Sequence, residues 1–170
     1  MTANSFIINT LDEITYNANS NISVNLLPLS TNVANTTYWN AVGTIFANTV
    51  SAIAPDGSST VTKLVLPTGA IVNSAAWGQF PYIAMVPKTY TLSVYAKAAE
   101  WNEIRINARS SVYTANNVTT YVSLVDGTIS NTGASGTFGV GTVSSTYVGN
   151  GWWRFSINVT AGGTSAQAFF

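Results

Sequence analysis

The stretch GNGWWRFSINV, Gly149 to Val159, decides how this chain is read. A Gly-Asn-Gly triplet is turn chemistry, because glycine and asparagine accept positive φ. The residues after the triplet alternate. On a β-strand successive side chains point to opposite faces. Trp153, Phe155, Ile157 and Val159 then share one apolar face, and Trp152, Arg154, Ser156 and Asn158 share the other. The first face reads as core. The second is polar yet carries a large aromatic next to one of the few cations, and so is a candidate contact surface.

The same period recurs upstream. TYTLSVYAKA (89–98) sets Tyr90, Leu92, Val94 and Ala96 against Thr91, Ser93, Tyr95 and Lys97. NEIRINARS (102–110) sets Ile104, Ile106 and Ala108 against Arg105, Asn107 and Arg109. TTYVSLVDGTIS (119–130) reads as a strand running into an Asp126-Gly127 turn, and TKLVLPTG (62–69) alternates into a Pro-Thr-Gly turn. GTFGVGTVSSTYVGNG (136–151) reads as irregular strands and loops. Sustained helical periodicity is missing, apart from one short helical turn expected near NTTYWN (35–40). Several short strands between turn signals predict an all-β, antiparallel two-sheet sandwich. Residues 1–24, rich in Asn and without a base, read as a short N-terminal arm, with the sandwich running from 25 to 170.

Composition excludes several function classes. The chain has 170 residues, 46% of them hydrophobic, which suffices for a real core. Only 7% are charged; six bases balance six acids, so the formal net charge is zero. Binding driven by nucleic-acid phosphates needs a basic field, which is lacking here. Near-neutral proteins tend to associate, so a homo-oligomer is expected. Cysteine and histidine are both absent, which removes disulfides, thiol nucleophiles, Ser-His catalysis and the common zinc sites. The expectation is a non-enzymatic protein with no catalytic residues, no cofactor and no metal site. Glu100 and Glu103 are the one pair considered for glycoside chemistry; Asp56 and Asp126 each precede glycine and suit turns. The N-terminal segment has no Lys or Arg, and its longest apolar run is Phe6-Ile7-Ile8, unlike a signal peptide. The apolar runs are all far shorter than a membrane span, so membrane insertion is not expected.

Three blocks occur in a recognisable order: NLLPLSTNVANTTYWNAVGTIFANTVSAIAPDGSSTVTKLV (25–65), TYTLSVYAKA (89–98) and YVGNGWWRFSINVTA (147–161). This layout resembles the carbohydrate-binding-module-like jelly-roll domain of bacteriophage tail-fibre, tailspike and other virion structural proteins. The resemblance implies a jelly roll, location on the virion surface, and other capsid or tail subunits as partners. It provides no fixed ligand motif. In the family a closing strand commonly follows the position of SAQAFF (165–170). The domain is therefore expected either to continue beyond its last strand here or to be closed by another chain.

The candidate contact residues come from these patterns. Trp152, Arg154, Tyr95, Arg105, Asn107 and Arg109 would form one outer face if their strands share a sheet. Such a face suits a cell-surface polysaccharide, with sugar C–H groups on the indole and hydroxyls on guanidinium and amide. It equally suits a solvated or subunit-covered sheet, with Arg154 stacked on Trp152. Trp77 and Trp101 fall in loop-like stretches, where they contact a ligand or cap the core, and Trp39 reads as core. Phe6, Ile7, Ile8, Leu11, Ile14 and Tyr16 give the arm an apolar surface for docking onto a virion subunit by strand addition. Fibre segment, capsid decoration and glycan-binding module of a larger bacterial enzyme are the alternatives within this reading.

Overall fold

The computed structural model describes residues 4–16, 39–42, 46–49, 52–59, 61–66, 76–79, 83–84, 87–110, 116–161 and 165–169. All regular structure among them is β. In chain order the strands are β1 (Asn4–Tyr16), β2 (Trp39–Val42), β3 (Phe46–Thr49), β4 (Thr62–Leu66), β5 (Ala76–Gln79), β6 (Ile83–Ala84) and β7 (Thr89–Ala98). They continue with β8 (Glu103–Arg109), β9 (Asn117–Ser123), β10 (Ile129–Ser135), β11 (Gly139–Gly149), β12 (Trp152–Thr160) and β13 (Ser165–Phe169).

Two antiparallel sheets result. The first has the order β11-β12-β7-β1-β4-β3; the second runs β10-β9-β8-β13-β5-β2, with β6 also paired to β13. The alternation seen in the sequence explains how they meet. Leu64, Leu92, Val94, Phe155, Ile157 and Val159 come from the first sheet, and Ile104, Ile106, Val118 and Val122 from the second. All are buried in one cluster. In β12 the buried positions Phe155, Ile157 and Val159 alternate with half-buried Arg154, Ser156 and Asn158, as period two demands.

Two parts of the chain sit differently from the sequence reading. Residues 4–16 are not appended to the domain: β1 lies inside the first sheet, with Phe6 opposite Ala98, Ile8 opposite Ala96 and Ile14 opposite Leu92. Its register slips between Asn9 and Glu13, the interval that holds Leu11. Phe6, Ile7, Ile8, Leu11, Ile14 and Tyr16 therefore belong to an interior strand, while residues 17–24 lie outside the described ones. Local composition shows that a segment can extend; it does not show where in a sheet the segment inserts. Likewise Ser165–Phe169 is itself an interior strand, with Ala168 opposite Ala108 of β8 and Phe169 opposite Gly78 of β5. Of the helical turn expected over 35–40, Trp39 and Asn40 open β2, and 35–38 lie outside the described residues.

Turns fix the register at one end of the sandwich. Asn150 and Gly151 have φ of 52° and 79°, the paired positive angles of a type I′ hairpin, which join β11 to β12. The β9–β10 turn is closed by the Ser123 amide on the Thr128 carbonyl (2.8 Å) and the Gly127 amide on the Ser123 carbonyl (3.1 Å). The Ser123 hydroxyl accepts from the Val125 and Asp126 amides, and the Asp126 carboxylate accepts from the Thr128 amide at 3.0 Å. Gly127 has φ of 74°, and a Cβ there would lie 2.6 Å from Cε3 of Trp153. The Ser145 hydroxyl donates to the Gly127 carbonyl at 2.7 Å. A turn of the second sheet is thus clamped by β11 and β12 of the first.

Gly57 also has positive φ, 85°, but a Cβ there would meet only open space. Gly57→Ala should cost about 1–2 kcal/mol for the left-handed backbone alone. Gly127→Ala should cost about 1–3 kcal/mol more, because the methyl group must displace the Trp153 ring. Urea denaturation of the two variants measures the difference directly.

Two carboxylates make the fold acid-sensitive. The Ser58 amide, with the Ser58 hydroxyl, holds the Asp56 carboxyl below the usual carboxylate range. The Thr128 amide, then the Ser123 and Thr128 hydroxyls, does the same for Asp126. A carboxyl whose pKa is depressed on folding adds stability above its unfolded pKa and loses it as pH falls through the folded value. The urea midpoint should therefore hold steady near neutrality and drop below about pH 4. In Asp126→Ala that drop should be shallower than in the parent chain.

Candidate functional site

The outer face of the first sheet carries the sequence candidates Trp152, Arg154 and Tyr95. β12 and β7 pair in register, with Trp152 opposite Lys97, Arg154 opposite Tyr95, Ser156 opposite Ser93 and Asn158 opposite Thr91. Beside them in β11, Ser144 faces Ser156 and Thr146 faces Arg154. Directly opposed residues share a face, so this is one continuous surface.

Most of that surface is built from uncharged pairs. The Thr91 hydroxyl donates to Oδ1 of Asn158 at 2.9 Å. Ser144 and Ser156 hydroxyls lie 2.7 Å apart, and those of Thr89 and Thr160 3.2 Å apart. Arg154 donates from Nη2 to the Ser93 hydroxyl at 3.3 Å, and its guanidinium carbon lies 6.0 Å from the centre of the Tyr95 ring. The arginine thus leans on Tyr95, its cross-strand neighbour, where the sequence had suggested Trp152.

Trp152 is the main departure. Its side chain faces away from the central core, as the alternation requires, yet it is only 1% exposed. Ala54 and Val61 bury it in a second, smaller cluster, with Ala52 and Tyr95 packed alongside. The indole N–H donates to the Ile53 carbonyl at 3.0 Å. The covering segment is shaped by its own turn. The Ala54 amide bonds the Ser58 carbonyl (2.8 Å), the Gly57 amide the Ala54 carbonyl (3.0 Å), and the Ser58 amide the Asp56 carboxylate (2.9 Å). Ala52, Ala54 and Val61, held about the APDG turn, are therefore the lid on Trp152, and the indole is almost fully buried.

The remaining candidates do not join this surface. Arg105, Asn107 and Arg109 lie on β8, in the second sheet. Because the inner faces of the two sheets face each other, the outer faces point in opposite directions. The two arginine-bearing rows are on opposite sides of the sandwich. Arg105 and Arg109 are half-buried; Asn107 is 1% exposed, its amide donating to Oδ1 of Asn117 (2.7 Å) and to the Val118 carbonyl (2.9 Å). Trp101 lies in the β7–β8 loop, as expected, half-buried against the main core. Trp77 lies on strand β5 instead of in a loop, opposite Ala41 of β2. Its side chain, like that of Trp39, is outside the described residues.

Sequence reasoning missed Tyr147. Its ring sits 5.1 Å from that of Trp153 and is 56% exposed, at the same end as exposed Val125 and Val148. The stretch 136–151 reads as irregular in the sequence; in the structure Tyr147 lies opposite Trp153, beside the register shift between Tyr147 and Gly149. Carboxylate chemistry gains no support from the geometry. Glu100 accepts from Lys63 at 2.9 Å, Glu103 opens β8, and Asp56 and Asp126 are held in turns. Among the described residues no group of three or more carboxylates gathers that could hold a metal ion.

Trp152→Ala should destabilise the protein by about 3–5 kcal/mol, the cost of emptying a buried aromatic site. Trp152→Phe, which keeps much of the packing but not the donor to Ile53, should cost roughly 1–3 kcal/mol. An open platform tryptophan would give under about 0.5 kcal/mol for either, as surface substitutions do. Chemical denaturation of the two variants decides this. In comparison with known proteins, no family model and no curated protein matches the chain.

Proposed function

We propose that this chain is a non-enzymatic structural domain of a bacteriophage virion, a jelly roll displayed on the particle as a fibre or decoration element. Its role in this reading is architectural. The order of the three sequence blocks supports the virion assignment, and the burial of Trp152 favours architecture over adhesion. A glycan stacks on an exposed aromatic face, whereas the strongest sequence candidate for such a face is packed under Ala52, Ala54 and Val61 and bonded to the Ile53 carbonyl. The separation of the two arginine rows onto opposite surfaces points the same way, since it removes the convergent polar groups that a sugar site needs.

Uncharged cross-strand pairs suit a particle component. Contacts between hydroxyls and amides depend little on ionic strength, whereas exposed ion pairs are screened by salt.

Mass spectrometry of gradient-purified particles of the encoding phage should recover the protein in stoichiometric amounts. A host-polysaccharide array should show no binding by the folded domain. Array binding that disappears in Tyr95→Ala, with the fold intact, would replace the architectural role with adhesion. Absence of the chain from purified particles would overturn the virion reading itself.

A further inference from the structure

The edges of the two sheets are unequal. On one side they end in β3 and β2, of four residues each. On the other side they end in β11, of 11 residues, and β10, of seven. Among the described residues β11 pairs only with β12, and no described strand pairs with the backbone groups along its outer side. A long open edge is a template for another strand. Proteins usually blunt such edges with lysine, proline or inward-pointing charge, or by shortening them. β11 reads GVGTVSSTYVG and has no proline and no charge. The run from Gly127 to Trp153, which includes β10 and both flanking turns, is likewise uncharged.

The occupant that this edge fits is a second copy of itself. Two identical strands pairing antiparallel about a two-fold axis bring residue i of one copy opposite residue j of the other, and j opposite i. Like charges directly opposite are destabilising, and a neutral edge has none to oppose. A partner selected by charge would need charge on β11, and there is none. The zero net charge adds no long-range repulsion between copies.

The register has a natural centre. β11 slips against β12 between Val140 and Val143 and again between Tyr147 and Gly149, which leaves Val143–Tyr147 as the regular stretch. Its midpoint is Ser145. A two-fold axis there sets Ser144 opposite Thr146 of the second copy, and Val143 opposite Tyr147. Ser144 and Thr146 are both exposed. Tyr147, 56% exposed, gains an apolar neighbour.

We propose that β11 is a self-association site, pairing antiparallel with β11 of a second copy about a two-fold axis at Ser145, so that the two first sheets become one. The inference rests on the fold and does not require the virion reading.

Sedimentation equilibrium of the full chain at micromolar concentrations should return twice the 17.9 kDa chain mass. The double variant Ser144→Lys/Thr146→Lys puts like charges directly opposite each other and should return the single-chain mass, with an unchanged circular dichroism spectrum. Mixing it with Ser144→Glu/Thr146→Glu should restore the double mass. Amide exchange over 143–147 should be at least about ten-fold faster in the lysine variant, since outward amides lose their partners. A parent chain that sediments only at 17.9 kDa overturns the proposal. So does a lysine variant that keeps the double mass, or a mixture that stays single. Nuclear Overhauser contacts between Ser144 and Thr146 of differently labelled parent chains test the same pairing without any substitution. A dimer that lacks those contacts also overturns it.

Discussion

Two consecutive tryptophans at the start of a strand impose the main constraint on this fold. Trp152 and Trp153 must point to opposite faces of β12. Each indole has on the order of 150–250 Å² of surface to remove from water, and the sandwich core can serve only one of them. Trp153 goes inward, where it stacks on Phe155 at 6.4 Å and 19° and presses on the glycine of the β9–β10 turn. Trp152 goes outward and needs a separate cover. The chain supplies it from Ala52, Ala54 and Val61, which lie far away in sequence. At about 25 cal/mol per Å², the full burial of Trp152 is worth roughly 4–6 kcal/mol, enough to matter in a domain whose net stability is about 5–15 kcal/mol, and the partly buried Trp153 contributes less. The start of β12 is therefore covered on both faces, fully at Trp152 and in part at Trp153, whereas towards Asn158 and Thr160 only one face is buried.

Beyond this lid, the outer face relies on hydroxyl and amide pairs. Each cross-strand pair contributes only about 0.2–1 kcal/mol, so no single one decides the fold. Their value is that they satisfy polar groups side by side without charge. The ion pair between Lys63 and Glu100 joins β4 to the β7–β8 loop at the surface, where such a pair contributes about 0–1 kcal/mol. Stability thus rests on apolar burial and turn geometry, and charge has a minor part.

The same division separates the legible features of the sequence from the hidden ones. Alternation in 89–98, 103–109 and 152–159 gave the correct inner face each time, because period two is a local property of the backbone. The turns at Asp126-Gly127 and at 149–151 were equally legible, because positive φ selects glycine and asparagine. Sheet membership was not legible. Nothing local to NEIRINARS says that β8 lies across the core from β7, and that single fact separates the two arginine rows. The lid was hidden for a related reason. A tryptophan on a polar face looks the same whether solvent, a ligand or another part of the chain covers it. The signal that could have found the lid is the pair of apolar residues about the APDG turn, Ala54 and Val61, both of which are buried. The placement of β1 in the middle of the first sheet is the most non-local feature, since its neighbours β4 and β7 begin far downstream.

The scarcity of charge has two consequences that pull in opposite directions. It permits the outer faces to be paired through hydroxyls and lets Trp152 be sealed without burying an ion, which would carry a desolvation cost of several kcal/mol. It also removes the commonest defence of a sheet edge. On one side the fold meets that problem with short strands, β2 and β3. On the other side shortening is not available. β11 must run the full length of β12 to bring Ser145 to the Gly127 carbonyl and Tyr147 to Trp153 at the far end. The clamp that holds the two sheets together at that end thus requires a long edge strand, and the neutrality of the chain leaves that edge open. The bulges at either end of β11 shorten the regular part to Val143–Tyr147 without closing it, so the length that serves the clamp also leaves a surface suited to another strand.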